Sequence, residues 1–282
     1  MAPVSVVIPA WRCAGYVEAA IRSVHAQTLA PLEVIVVDDA SGDGTAEAAR
    51  ALGATVIEHD SNQGVGQARN DGIEAATGEW IASLDADDEW LPQHLETLWE
   101  ARDGHVLVSA AAITMSDPRV LGWARRRPLL LDSPAKAVVP EPCIRTSGVM
   151  FRREDAQAVG GFRPDLRRAQ DLDLWLRLLE RGTGVALPVV TNRYRVHSEQ
   201  ASADRPAGWQ AQRAILASYA DRPWCTPALR RIRETTIAWD ESRATAIKRA
   251  LTHPREARAL ASLLRNRSAQ RSNPELLRRS RQ

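Results

Sequence analysis

Four short, largely apolar runs, spaced by helix-length stretches, constrain this chain most. Val4–Ile8, Val34–Val37, Ala54–Glu58 and Trp80–Leu84 all fall within the first hundred residues. A strand buried on both faces reads as a near-continuous apolar run, without polar alternation. Between the runs, Tyr16–Ala26, Thr45–Leu52 and Gly64–Ala76 have helical patterning, and Pro92 opens a further helix to about Ala101. Strands alternating with helices predict an α/β fold with a Rossmann-like, mostly parallel sheet flanked by helices. Ligands in such sheets bind outside the carboxyl ends of the strands. Here those ends carry Pro9, Asp38, Asp39, Asp85, Asp87 and Asp88.

Beyond residue 100 the pattern loosens. Val106–Thr114, Ser147–Phe151 and Val185–Tyr194 read as strands. Glu154–Val159 is a short helix stopped by Gly160-Gly161, and Leu172, Trp175, Leu176 and Leu179 share one face of a helix over Asp171–Arg181. Residues 116–142 hold Pro118, Pro128, Pro134, Pro140 and Pro142 with Arg125-Arg126-Arg127, and read as an irregular excursion or mobile loop. From Trp209 the chain reads as helical, and after Asn266 as frayed and basic. The expected division is one domain over 1–205, in two parts, 1–100 and 101–205, and a helical, basic C-terminal extension over 206–282.

A chain of 282 residues can bury one large core. The net charge of +2 argues neither for nor against a polyanionic partner. Three widely separated cysteines, Cys13, Cys143 and Cys225, offer neither a disulfide framework nor metal-ligand spacing. A reducing, cytoplasmic setting is expected. The first apolar run is too short for a signal-peptide core and follows no basic leader. No run reaches the roughly 18 apolar residues of a membrane span.

The chemistry centres on Asp85-Ala86-Asp87-Asp88. Two carboxylates one residue apart at a strand end can approach one hard cation, and Mg²⁺ or Mn²⁺ prefers such oxygens. The same residues also suit a polar strand-to-helix turn, with Asp88 helping to cap the next helix. Asp38-Asp39 ends a second strand, and Asn62, Arg69 and Asn70 follow the third. Asp39 could accept a ring N–H of a nucleobase, or serve a turn in the turn-rich Asp39–Gly44 segment. Arg69 could face a phosphate or Asp87, or be a solvated cation. Asp171 stands where a helix N-cap belongs, and Asp173 reads as solvated.

Four segments in order carry a family resemblance: Val4–Pro9; Ile35–Asp39 with Ala40-Ser41-Gly42-Asp43-Gly44-Thr45; Asn62-Gln63-Gly64 leading to Ala68-Arg69-Asn70-Asp71-Gly72; and Gly78-Glu79-Trp80 leading to Leu84–Asp88. Together they resemble family 2 glycosyltransferases, the inverting group with the GT-A fold. Gly160-Gly161-Phe162 and Asp171–Leu178 are similar to the family's acceptor-side segment. The family's usual Glu-Asp pair is Gln170-Asp171 here, which keeps the base position and replaces the preceding acid by an amide. Arg195-Val196-His197-Ser198 resembles a late segment whose His completes the metal shell in some members. The resemblance implies transfer of a sugar from a nucleoside-diphosphate sugar, a UDP-sugar favoured, to a hydroxyl of a saccharide, lipid-linked or small-molecule acceptor. It implies donor contacts from Pro9, Asp39, Asn62, Arg69, Asp85 and Asp87, a Mn²⁺ or Mg²⁺ ion on Asp87 with His197, and Asp171 as catalytic base.

The C-terminal arginines, with Leu260, Leu263 and Leu264, fit either a solvated helix with a core-facing stripe or an amphipathic helix on the inner membrane face. The basic segment has few aromatics to stack on bases, which disfavours nucleic acid. A sugar-nucleotide pyrophosphorylase would need a Gly-rich loop with Arg and Lys after the first strand, where Pro9-Ala10-Trp11-Arg12 stands. A Rossmann dehydrogenase would need a G-x-G-x-x-G there. A catalytically inactive nucleotide-sugar binding module is the alternative that Gln170 raises.

Overall fold

The apolar runs become strands whose side chains are covered on both faces. Every position of β1 (Val4–Ala10) and β4 (Trp80–Ser83) is buried, as central strands of a two-sided sheet require. The computed structural model describes residues 2–116, 119–124, 127–139, 143–197, 200 and 204–272. β3 (Thr55–Glu58), β2 (Glu33–Asp38), β1 and β4 run parallel and adjacent in that order. β9 (Val149–Arg152) lies antiparallel between β4 and β6 (Leu107–Thr114). β6 therefore points the same way as β4, and β10 (Gly184–Tyr194) runs parallel to β6. β5 (Glu89–Trp90) closes the order, antiparallel to β10.

This topology places the site. The chain fills the sheet outward from β1 on one side with β2 and β3, then returns to add β4 on the other. That reversal is a switch point, with a crevice at the carboxyl ends of β1 and β4. β9 is antiparallel, so its beginning lies there too: Val149 pairs with Ser83 at the end of β4. The 3-10 turn Thr146–Gly148 that precedes β9 is thereby brought beside Leu84–Asp88. The register of β10 on β6 shifts around Pro188, between Leu187 and Val190; proline has no N–H for the ladder.

Helices cover both faces. α1 (Val17–His25), α2 (Thr45–Ala51) and α4 (His94–Glu100) pack Ile21, Ala49 and Leu98 onto one side of the sheet. α3 (Val65–Ala75), α6 (Arg153–Ala158) and α7 (Gln170–Arg181) pack Ala68, Ala156 and Trp175 onto the other. α3 approaches closely at Gly72, where a Cβ would lie 2.4 Å from Val7 Cγ1.

Three sequence expectations change. Within 116–142, β7 (Val120–Leu121) pairs with β6, β8 (Leu129–Leu131) with β10, and α5 (Pro134–Val138) is capped by Ser133, whose Oγ accepts from Ala135 N at 3.3 Å. Elements of two to five residues are too short to show a period. Pro118, Arg125, Arg126, Pro140 and Pro142 lie outside the described residues. At the C-terminus, α8 (Arg205–Ser218), α9 (Pro227–Glu241), α10 (Arg243–Thr252) and α11 (Pro254–Ser272) follow the sheet. α11 does not fray at Asn266: that side chain is buried, accepts from Ala124 N at 3.3 Å and donates to Gly122 O at 3.4 Å. Leu260 and Leu263 bury against Ala238 and Ala246, so they are the core-facing stripe. Residues 273–282, with Arg278, Arg279 and Arg281, lie outside the described residues. The third change is Asp173. It is fully buried rather than solvated, bound through Oδ2 by Arg177 Nε at 2.9 Å and Nη2 at 2.6 Å, and through Oδ1 by the Tyr219 hydroxyl at 2.9 Å. Its partner Tyr219 lies 46 residues away, beyond any local pattern. Among the described residues, no helix is long and apolar enough to cross a membrane.

Candidate active site

A cleft of about 1740 Å³ opens at the carboxyl ends of the strands. Pro9, Arg69, Asp85, Asp87, Asp171 and His197 all line it. The sequence therefore identified six residues that the fold gathers in one place. Asp39 and Asn62 are not among the lining residues. Asp39 is 2% exposed. Its Oδ1 accepts from Gln63 N at 2.7 Å and its Oδ2 from Gly64 N at 2.8 Å, which fixes the turn into α3. Asn62 Nδ2 donates to Asp39 O at 3.3 Å.

The acidic cluster is divided among different partners. Arg69 is 5% exposed and donates from Nη2 to Asp85 Oδ1 at 2.6 Å, not to Asp87. Its guanidinium carbon lies 5.2 Å from the centre of the Phe162 ring, and its buried Nε has no partner. Asp87 Oδ2 lies 2.8 Å from His197 Nε2, and Arg195 Nε donates to Asp87 O at 2.9 Å. Burial and the neighbouring Asp85 raise the Asp87 pKa, and His197 works against that rise. Asp88 is 1% exposed, accepting from Ser147 Oγ at 2.5 Å and Arg195 N at 2.9 Å. Burial, then Asp85 and Asp87, push its pKa well above the usual carboxylate range. Asp88 also lines the cleft, but it caps no helix: α4 begins at His94, after the N-cap Gln93.

Asp171 does not sit at a helix N-cap either. α7 begins one residue earlier, at Gln170, after Ala169 in the left-handed region with φ 55°. Asp171 occupies the first turn, where its charge favours the helix dipole, and it lines the cleft. Thr146 Oγ1 donates to its Oδ2 at 3.2 Å, and Leu172 N to its Oδ1 at 2.8 Å. Thr146 and Ser147 are consecutive, so one short turn binds both Asp171 and Asp88. Among the described residues, three non-glycine residues have positive φ: Arg12, Ala40 and Ala169. They follow β1, follow Asp39 and precede Gln170. Such conformations persist where surrounding structure enforces them, often at functional sites.

Thr146, Ser147, Arg145 and Tyr16 are among the lining residues that sequence reasoning missed. Ser147 also accepts from Asp85 N at 3.2 Å, and its carbonyl accepts from Trp90 Nε1 at 2.7 Å. No spacing marks these residues; the antiparallel insertion of β9 delivers them. Tyr16 packs near the His197 ring, with centroids 5.5 Å apart. Ser198 of the late motif lies outside the described residues. Cys13 also lines the cleft, but burial, with added repulsion from Asp87, Asp43 and Asp85, pushes its thiol up to about 11. It stays protonated at neutral pH, unlike a nucleophilic thiolate. Asn70 proves structural: it exchanges two hydrogen bonds with the Phe162 backbone, each 2.7 Å.

A switch-point cleft rimmed by strand-end carboxylates, in a mixed sheet clothed by helices, is the arrangement that the sequence resemblance to GT-A type glycosyltransferases led us to expect. The family model for glycosyl transferase family 2 matches residues 5–158, more than half of the 282-residue chain. The chain belongs to that family. It is 28% identical over 210 residues to the amylovoran biosynthesis glycosyltransferase AmsE of Erwinia amylovora, covering 72% of this chain and 78% of AmsE. S. aureus TarS 1–349, solved with UDP-GlcNAc, superposes with a TM-score of 0.67 at 18% identity, over 86% of this chain and 74% of that one. The mannosyltransferase PcManGT from Pyrobaculum calidifontis, solved with GDP-Man and Mn²⁺, gives a TM-score of 0.63 at 22% identity, over 97% and 83%. These likenesses show the fold.

Proposed function

We propose that the protein is an inverting, metal-dependent transferase that moves a sugar from a nucleoside-diphosphate sugar, a UDP-sugar favoured, to an acceptor hydroxyl. Residues 1–205 would form the transferase unit, and 206–282 the helical extension. One observation carries the reading: Asp171 lines the same cleft as Asp85 and Asp87, and the Thr146-Ser147 turn links its carboxylate to the acidic cluster. Neighbours of the same fold were solved with UDP-GlcNAc and with GDP-Man and Mn²⁺, which supports a nucleotide-sugar donor and a divalent ion in general.

The donor set suits a hard cation. Asp87 and His197 offer oxygen and imidazole nitrogen to the cleft, ligands that Mn²⁺ accepts readily and Mg²⁺ less so for the nitrogen. Among the described residues, no group of three His, Cys, Asp or Glu side chains could hold a metal ion by itself, so diphosphate and water would complete the shell. A bound divalent ion neutralises the diphosphate leaving group. Asp85, fixed by Arg69, would face the ribose or a metal-bound water. Asp39 would read the base beside Pro9 with the acceptor capacity left on Oδ2 beyond its bonds to Gln63, Gly64 and His59, and Asn62 would hold that segment. Asp171 would take the proton of the acceptor hydroxyl as it attacks the anomeric carbon opposite the leaving group, which inverts the configuration.

Asp171→Asn keeps the shape and removes the base. Transfer should fall by about two to four orders of magnitude, with nucleoside-diphosphate affinity retained in calorimetry. Near-normal turnover in the variant would overturn the assignment.

A further inference from the structure

The cleft carries a charge imbalance that donor chemistry does not absorb. Among the described residues lining it, nine arginines stand against six aspartates. The whole chain is close to neutral, with 37 Lys and Arg against 35 Asp and Glu, so the surplus is local. At the strand ends the charges close on one another. Arg69 pairs with Asp85, His197 with Asp87, and Arg195 with Glu89 at 2.8 Å. Elsewhere in the lining, Asp204 pairs with Arg168 at 3.4 Å and Asp240 with Arg205 at 3.5 Å. Arg145, Arg167 and Arg243 also line the cleft, as does Arg12 just after β1, and none of these four pairs with a carboxylate among the described residues.

Arg145 is the most informative of these. It is partly buried, and its guanidinium carbon lies 5.1 Å from the centre of the Tyr194 ring, which holds the planar group in place. It directly precedes Thr146, the residue bound to Asp171. A partly buried cation without a counter-ion carries a desolvation cost that an incoming anion would offset. Arg243 lies 5.6 Å from the Trp239 ring and Arg205 5.2 Å from Trp209; both indoles line the cleft. Flat apolar rings beside arginine forks suit a sugar ring bearing a negative group. The diphosphate does not need this surface, because a divalent ion at Asp87 would balance it.

We propose that the acceptor is an anionic saccharide, carrying a carboxylate or a phosphate that the Arg145, Arg167 and Arg243 surface holds while a hydroxyl faces Asp171. The proposal rests on the transferase reading and names the acceptor class for that same site.

The test is a calorimetric titration of the full-length protein, first with a nucleoside diphosphate and Mn²⁺. The loaded protein is then titrated with three matched probes: methyl glucoside, methyl glucuronide and methyl glucoside 6-phosphate. At least one charged probe should bind about tenfold or more tighter than the neutral one, as expected for charge-assisted hydrogen bonds to arginine. Which charged probe wins identifies carboxylate or phosphate as the source. Arg145→Gln should erase the preference, and Arg145→Lys should keep part of it, so a misfolded Gln variant leaves the test intact. Equal binding of the three probes, or binding of none, overturns the proposal while leaving the donor site standing. So does an Arg145→Gln protein that weakens the nucleoside diphosphate and retains the probe preference, since Arg145 would then belong to the donor. Failure of the wild-type protein to bind any nucleoside diphosphate sinks the transferase reading, and this inference falls with it.

Discussion

At the strand ends most charged side chains of the cleft close on one another, with the exposed Arg12 as the exception, whereas Arg167 before α7 and Arg243 at the start of α10 have no carboxylate partner among the described residues. Around β1, β2 and β4, Arg69, Asp39 and Asp88 are each at most 5% exposed and each is bound by a partner from another segment. Arg167 and Arg243 are exposed. The contrast follows from what supports each part. A parallel sheet covered on both faces can hold buried carboxylates, because backbone N–H groups and side-chain donors reach them from fixed positions. Arg243 begins α10 and Arg167 lies in the loop before α7, and neither sits in such a cage. On the proposed reading, donor recognition would be rigid, while the acceptor surface would carry charge that only a ligand satisfies.

Asp87→Asn tests the contrast with the largest expected effect. The amide keeps the shape, loses the charge and binds a hard cation poorly. Transfer should fall by about two to three orders of magnitude, corresponding to the several kcal/mol a cation contributes to a developing anion. The Mn²⁺-dependent part of the thermal stabilisation by a nucleoside diphosphate should vanish as well. An unaltered Mn²⁺ response would place the cation elsewhere and dissolve the division drawn between the two parts.

Packing should show the same contrast at a smaller scale, through two glycines. A Cβ at Gly72 of α3 would lie 2.4 Å from Val7 Cγ1 in the central strand. Gly72→Ala should therefore lower stability by about 1–3 kcal/mol, the usual range for overpacking. Gly208 lies in α8, and a Cβ there would meet nothing within 4 Å. Gly208→Ala should raise stability by about 0.5–1 kcal/mol through helix propensity. Urea denaturation of the two variants should give shifts of opposite sign. A shift of the same sign in both would remove the packing difference.

The sequence made the donor part far more legible than the acceptor part, for a physical reason. Buried parallel strands announce themselves as apolar runs, and their ends fix where Pro9, Asp39, Asp85 and Asp87 must lie. β1, β2, β3 and β4 accordingly fall within one or two residues of their expected spans. The Thr146-Ser147 turn was illegible because an antiparallel insertion, visible only in three dimensions, delivers it. The pairing of Asp173 with Tyr219 and of Asn266 with Gly122 and Ala124 joins segments 46 and more than 140 residues apart. Side chains chosen for partners so distant leave no local period. β7, β8 and α5 were hidden by their brevity.

The finest test concerns how the donor part is held, through His59. Its side chain is 6% exposed, with Nδ1 2.7 Å from Asp39 Oδ1 and Nε2 2.8 Å from Asp71 Oδ2. Burial works against its positive charge, but hydrogen bonds and attraction from the two carboxylates together outweigh it, and the pKa rises above 6.5. When protonated, the ring ties the end of β2 to α3, and Asp39 passes the constraint to the backbone of Gln63 and Gly64. A pKa raised in the folded state gives stabilisation that is fully present below about pH 6.5, the unperturbed value. That stabilisation is lost as pH rises through the folded-state pKa. The difference in melting temperature between wild type and His59→Gln should therefore be greatest near pH 6 and shrink towards pH 9, by less than either glycine effect. Donor affinity should weaken over the same window in the wild type and stay flat in the variant, because only the wild type loses a charge that orders Asp39. A difference that grows with pH would mean that His59 is neutral between its two carboxylates, and that the turn into α3 is held by the Gln63 and Gly64 N–H groups alone.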